Sequence, residues 1–296
     1  MAFNPHLEVV LAAIIWGSTG AFVKYLDLPP TTMSFFRLAI PSIILFFFLS
    51  TKKVFLFKGN NKLILFASSL NVVRMFLYFT GFSLASIANA VIIWFTFPIF
   101  VLLIEITILK EKISKRQSLL ILIAFLGIIF MYIDKNLSFS SNDFIGMSAM
   151  LFASMMNAIL IIIYKKVSNK YSKAELIFYQ NIIGAFIFLP FIFFMTPLPS
   201  ISQIGVATIY AILIGVVGFG LFFSALKRIK ASVASYLSYI EVLSAITIAI
   251  ILFNENLTWN IIIGGILIIV SAALLETKKD NQNVKTSTKE ELGSYI

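Results

Sequence analysis

The sequence predicts an all-α integral membrane protein, a bundle of ten transmembrane helices built as two inverted five-helix repeats. Three observations carry this prediction. The 296 residues are 60% hydrophobic and only 12% charged, whereas a soluble chain carries roughly a quarter charged residues. The apolar residues fall into ten blocks, each near the ~20 residues a helix needs to cross a bilayer. The cations gather in alternate loops between those blocks, the pattern that orients membrane proteins.

Block one, residues 7–26, carries Ala13, Gly17 and Ala21 at four-residue spacing with Gly20 alongside, a stripe that lets another helix approach closely. No charged region followed by a cleavage site precedes it, so it is expected to be retained. Pro29-Pro30 marks a loop, and block two follows at 31–50. Lys52, Lys53, Lys58 and Lys62 form the first cationic loop before block three, 63–83. Block four, 87–109, contains Pro98, which removes one backbone hydrogen bond and predicts a kink. It stops at a second cationic group, Lys110, Lys112, Lys115 and Arg116. Block five spans 117–133 and block six 143–164, which ends on Lys165, Lys166, Lys170 and Lys173. Block seven, 174–195, gives way to a loop marked by Pro197 and Pro199. Block eight, 202–226, holds Gly215, Gly218 and Gly220, a second region of close approach or flexibility. Lys227, Arg228 and Lys230 precede block nine, 231–253. Trp259 opens block ten, 259–276, as an interface anchor. The polar tail, 277–296, is expected to be disordered.

Nineteen of the 23 lysines and arginines lie on one side of this plan. Lys24 and Lys135 lie on the other, and Arg37 and Arg74 fall inside blocks. Both termini are therefore expected in the cytoplasm, with the chain multi-pass in the cell membrane, a bacterial inner membrane in this reading. The net charge of +10 reads as topology rather than as a nucleic-acid surface.

Sliding the sequence over itself by 144 residues lays YFTGFSLASIANAVIIWFTFPIFVLLIEITILKEKIS, from Tyr78, on FFSALKRIKASVASYLSYIEVLSAITIAIILFNENLT, from Phe222, without a gap. Phe79 meets Phe223, Ala90 meets Ala234, and Glu111 meets Glu255. FFRLAIPSIIL, from Phe35, lies over YQNIIGAFIFL, from Tyr179, which sets Arg37 opposite Asn181. Each half holds an odd number of spans, so the second enters the membrane from the opposite side. Residues 1–136 form the first repeat in this reading, 137–276 the second, and 277–296 the tail. Such inverted repeats are a recurring plan of secondary transporters, with the binding site near the midplane.

IIWGSTGAFVKY, FFRLAI, SIANA and FPIFVLLIEITILKEKIS in the first half, with LFFSALKRIKASVASYLSYIEV and FNENLT in the second, resemble the drug/metabolite transporter superfamily, specifically its ten-span EamA branch. The resemblance implies a central cavity lined mainly by spans one, three, four, six, eight and nine, open alternately to each side. It implies carriage of small metabolites, with export the more frequent direction. The family usually has proline after the glutamate of span nine. Here Val242 follows Glu241, which removes the usual cause of a kink.

Charges inside a bilayer cost at least ~2.5–3.5 kcal/mol each and generally face the protein interior. Asn71, Arg74 and Tyr78 form one polar stripe on span three. Arg74 is suited to grip a carboxylate or phosphate, or alternatively to form a structural ion pair or an interhelical hydrogen bond. Arg37 reads as an anchor, or as a gating residue where the halves meet. Glu241, near the middle of span nine, is suited to proton coupling or to binding an ammonium group, the alternative being a salt bridge to Arg74. Glu105, on one face with Trp94 and Pro98, reads as a coupling or gating residue or as a paired glutamate at the inner mouth. Trp16, Tyr78, Trp94, Tyr236 and Tyr239 are aromatic candidates for stacking or cation–π contact. Ser232 and Ser235, on the face of Tyr236 and Tyr239, suggest a polar cavity wall.

These residues favour a secondary carrier for a small polar metabolite, an amino acid or derivative, working by alternating access. Uptake or exchange of a nucleoside-containing metabolite such as S-adenosylmethionine is the alternative, and a lipid flippase a lower one. The chain has no cysteine, one histidine (His6) ahead of block one, no P-loop and no metal-ligand spacing. Enzyme chemistry is therefore not expected, nor is a cofactor or metal. The expected partners are a small-molecule substrate and the lipid bilayer, with no nucleic acid; oligomeric state is left open.

Overall fold

The computed structural model describes residues 4–54, 56, 61–85, 87–132, 140–194, 198–253 and 258–274. Among these every regular element is helical. Among the described residues nine helices are long and apolar enough to cross a membrane: span 1 (Pro5–Leu26), span 2 (Pro30–Thr51), span 3 (Lys62–Leu84), span 4 (Asn89–Thr107), span 5 (Lys115–Tyr132), span 6 (Ser141–Val167), span 7 (Lys173–Phe194), span 8 (Ile201–Leu226) and span 9 (Ala231–Leu252). Span 10 (Trp259–Leu274) is apolar and shorter. These are the ten predicted blocks to within a few residues. The junction proposed at residues 136 and 137, Lys135, most of the FNENLT stretch with Glu255, and the tail lie outside the described residues.

Polarity is arranged for lipid. Phe47, Phe152, Phe186, Phe193 and Phe194 point outward, whereas Arg37, Asn71, Arg74, Gln180 and Asn181 are buried. An apolar exterior of this extent is a lipid-facing or partner-facing surface.

The helix packing carries the twofold plan. Span 2 packs on span 7 and span 4 on span 9. Span 3 packs on span 6, as span 8 does on span 1. Span 4 packs on span 6, as span 9 does on span 1. Exchanging spans 1–5 with spans 6–10 turns each pair into itself or into another observed pair. Spans 5 and 10 meet through glycines, since a Cβ on Gly264 would lie 2.4 Å from the carbonyl oxygen of Gly127. Of the small-residue stripe in span 1, Gly17 is a close contact, with a Cβ there falling 2.5 Å from Ser244 Cβ. Gly20 faces open space, and a Cβ on Gly220 would be 4.0 Å from its nearest neighbour.

Spans 3 and 6 are continuous helices of 23 and 27 residues. Span 7 tightens into a 3-10 segment over Leu189–Phe194, and four others are interrupted part-way. Span 1 is interrupted at Ser18, whose hydroxyl donates to the Ile15 carbonyl at 2.7 Å. Span 4 turns at Phe95-Thr96, just ahead of Pro98. Span 8 contains a wide turn of π geometry over Leu213–Gly218. Span 9 turns at Ser238-Tyr239, where the amides of Tyr239, Glu241 and Val242 bond three residues back instead of four. Span 9 thus turns without a proline after Glu241. Its turn lies one position short of a strict 144-residue match to that of span 4, so the repeat keeps the interruption while changing the residue that makes it.

One end of the bundle, where the cationic loops lie, is cross-linked. Arg228 pairs with Glu8, and Lys230 with Glu111 at 2.9 Å. The Lys165 ammonium donates to the Leu226 carbonyl at 2.7 Å. Tyr171 donates to Asn61 Oδ1 at 2.6 Å, and the Lys227 ammonium donates to the Tyr171 carbonyl at 3.1 Å.

Candidate functional site

The interrupted and continuous spans enclose a central cavity of about 90 Å³, space for several waters at about 10–15 Å³ each. Spans 1, 3, 4, 6, 8 and 9 contribute to its wall, as the family resemblance implies, joined by Arg37 of span 2 and Gln180 of span 7. Among the described residues no group of three or more His, Asp or Glu could hold a metal ion.

Span 3 supplies the polar stripe. Helical spacing puts Asn71, Arg74 and Tyr78 on one face, and all three line the cavity. Asn71 fixes the guanidinium. Its Oδ1 accepts from Arg74 Nε at 3.0 Å and from Nη2 at 2.8 Å, while its Nδ2 donates to the Gln180 carbonyl at 2.8 Å. The Arg74 Cζ stands 5.9 Å from the ring centre of Trp94, against whose ring Tyr78 packs edge-on at 4.6 Å. Trp16 belongs to the wall too, and its Nε1 donates to the Ile214 carbonyl at 3.4 Å. That carbonyl lies in the wide turn of span 8, where helical pairing is disrupted.

Glu241 and Ser238 line the cavity from span 9. Among the described residues neither Arg74 nor Arg37 forms an ion pair with Glu241. The salt bridge weighed as the alternative role for Arg74 and Glu241 is therefore not formed here.

Three of the sequence candidates lie elsewhere. Tyr236 and Tyr239 are not part of the cavity wall. They are buried in packing, with ring centres 5.9 Å apart and Tyr239 6.0 Å from Phe95. The physical reason is the turn at Ser238-Tyr239: it separates the segment Ala231–Leu237 from the one that opens at Ile240, so the two tyrosines and Glu241 do not share one regular helical face. Glu105 is also outside the wall. It is buried and accepts from the backbone amide of Ser232 at 3.1 Å. Ser232 is the second residue of the helical segment Ala231–Leu237, so Glu105 caps span 9 from span 4, where a carboxylate meets the positive helix end. Arg37, expected as an anchor or a gate, reaches the cavity wall from span 2.

Asn157, Tyr164, Gln180 and Tyr210 also line the cavity and were not among the sequence candidates. Asn157 and Tyr164, with Leu160 and Ile161, follow the i, i+3, i+4, i+7 spacing of one helix face. A single asparagine within a long apolar run was the available signal. Asn181, the repeat mate of Arg37, turns back to donate to the Ile177 carbonyl at 2.8 Å, and its neighbour Gln180 faces the cavity.

The profile of the EamA-like transporter family matches residues 5–133 and again 144–277. The chain belongs to the EamA-like transporter family. It is accordingly a multi-pass membrane transporter. Similar proteins include the uncharacterized transporter YoaV of Bacillus subtilis, 26% identical over 88% of this chain and 93% of that one. The S-adenosylmethionine uptake transporter of Rickettsia prowazekii is 25% identical over 90% and 92%. The pseudopaline exporter CntI of Pseudomonas aeruginosa is 24% identical over 92% and 96%. A crystal structure 14% identical in sequence superposes with a TM-score of 0.79 over 94% of this chain and 99% of that one, which shows a shared fold.

Proposed function

We propose that this family member is a secondary carrier for an amino acid or amino-acid derivative, bound in the central cavity and released by alternating access. One observation carries the reading: Arg74 and Glu241 face the same enclosed space, and neither is neutralised by the other. An α-carboxylate on the Nη1–Nη2 end of Arg74 and an α-ammonium at Glu241 would satisfy both, while Asn71 holds the Nε–Nη2 edge of the guanidinium. Trp94 and Tyr78 supply the apolar wall beside the head group. S-adenosylmethionine, itself an amino acid, would engage the same two contacts through its head group, which keeps it as the second reading.

The interrupted spans 1, 4, 8 and 9 border the cavity and are the segments that would move. The two five-helix units, 1–136 and 137–276, would rock about it. The cationic end faces the cytoplasm in this reading, with both termini there, so the cross-linked state is closed to the cytoplasm. Energy comes from a gradient or from exchange.

The test is a thermal-shift panel of L-amino acids and S-adenosylmethionine on purified protein, because a ligand of the folded state raises its apparent stability. At least one amino acid is expected to shift the wild type, and Arg74→Ala to lose that shift while remaining monodisperse. An undiminished shift in Arg74→Ala would remove the guanidinium from the site.

A further inference from the structure

An amino acid with a neutral side chain uses Arg74 and Glu241 and leaves Arg37 without a task. Arg37 enters the cavity wall from span 2 and is 2% exposed, and its Nη1 is buried without a hydrogen-bond partner. Its surroundings hold it in place without neutralising it. Cζ stands 4.9 Å from the ring centre of Phe219, another cavity-lining residue. Nη1 occupies space that glycine leaves open in the wide turn of span 8, since a Cβ on Gly215 would approach it to 2.8 Å. Tyr210, also in the wall, is a neighbour but offers no negative charge. Among the described residues no carboxylate forms an ion pair with Arg37.

The wall thus presents two guanidiniums and one carboxyl group to one cavity, none of them paired with another. Buried cations need a compensating anion, and each guanidinium fork matches a carboxylate of its own. The complement of this wall is a molecule with two acidic groups and one amine. We infer that Arg37 forms a second anion subsite and that the cargo is an amino dicarboxylic acid. The inference rests on the zwitterion reading of Arg74 and Glu241 and adds to it the side-chain acid.

Acid and amide pairs of one shape isolate the second charge. Dissociation constants are measured by titration calorimetry on the full-length protein for L-aspartate and L-glutamate against L-asparagine and L-glutamine, with O-phospho-L-serine as a further arm. At least one acid is expected to bind tenfold or more tightly than its amide. Arg37→Gln is expected to erase that ratio, with a thermal melt of the variant showing that it is folded. Acids and amides binding alike in the wild type would overturn the second subsite and leave the zwitterion reading standing. So would an Arg37→Gln variant that weakens both classes equally, because one carboxylate would then bridge both arginines. Tight binding of O-phospho-L-serine alone would replace the dicarboxylate with a phosphate-bearing cargo. Binding of neither acids nor amides would overturn both the inference and the reading beneath it.

Discussion

Asn71→Asp separates a binding role for Arg74 from a structural one, because the two roles predict different results. The substitution keeps shape and replaces the amide oxygen, now 2.8–3.0 Å from Arg74 Nη2 and Nε, with a carboxylate. At ~4 Å between charge centres and an effective dielectric near 20, the new attraction is about 4 kcal/mol. Against it stands the loss of the Nδ2 donor to the Gln180 carbonyl, about 1–3 kcal/mol, and the desolvation of a new charge. Thermal stability should therefore move little, by less than ~2 kcal/mol. A cargo carboxylate, in contrast, now meets a guanidinium whose charge a resident anion already neutralises from its Nε–Nη2 edge. Forfeiting about 2–4 kcal/mol of that attraction weakens binding by about 30- to 1,000-fold, at 1.4 kcal/mol per factor of ten. The assay pairs a thermal melt of purified Asn71→Asp with titration by an amino acid that binds the wild type. A stable variant with undiminished affinity would refute the assignment of Arg74 to the cargo.

Glu105→Ala strips the cap from the Ser232 amide and should lower stability by about 1–2 kcal/mol; a thermal melt reads this, and ligand affinity stays constant because the residue is outside the cavity wall. Gly264→Ala drives a Cβ into the backbone of Gly127 and should cost about 1–3 kcal/mol in the same melt, whereas Gly20→Ala, facing open space, should not destabilise. Glu241→Gln should weaken an amino acid at least tenfold while leaving its deaminated analogue unaffected, as compared by calorimetry; equal losses would deny Glu241 the ammonium.

The spans were legible because their signals are additive: long apolar runs and loop charges survive any detail of packing. The stripe Asn71, Arg74 and Tyr78 was legible for a related reason, since a continuous helix preserves the spacing of its residues. Span 9 was harder. Serines beside Tyr236 and Tyr239 looked like a cavity wall, but burial among small residues explains them equally well, and the turn at Ser238-Tyr239, which sets them apart from Glu241, decides between the two. The turn at Ser238-Tyr239 was hidden because it is made by three-residue hydrogen bonds and carries no proline. Glu105 as a cap on span 9 and Arg37 in the cavity wall were not legible, because hydropathy records depth along a helix and says nothing of which neighbour a side chain meets. Gln180 and Tyr210 reach the cavity only through the mutual packing of spans 2, 7 and 8, which no single segment encodes.

The central claim, a cavity reached from each side in turn and filled by cargo, is tested most directly at Ser238. Ser238 borders the cavity, and the protein has no native cysteine to confuse labelling. In Ser238→Cys, a membrane-impermeant maleimide should label the new thiol in both right-side-out and inverted vesicles, and an amino acid that binds the protein should slow labelling in both. Labelling confined to one orientation, or indifferent to that amino acid from either side, would contradict the account.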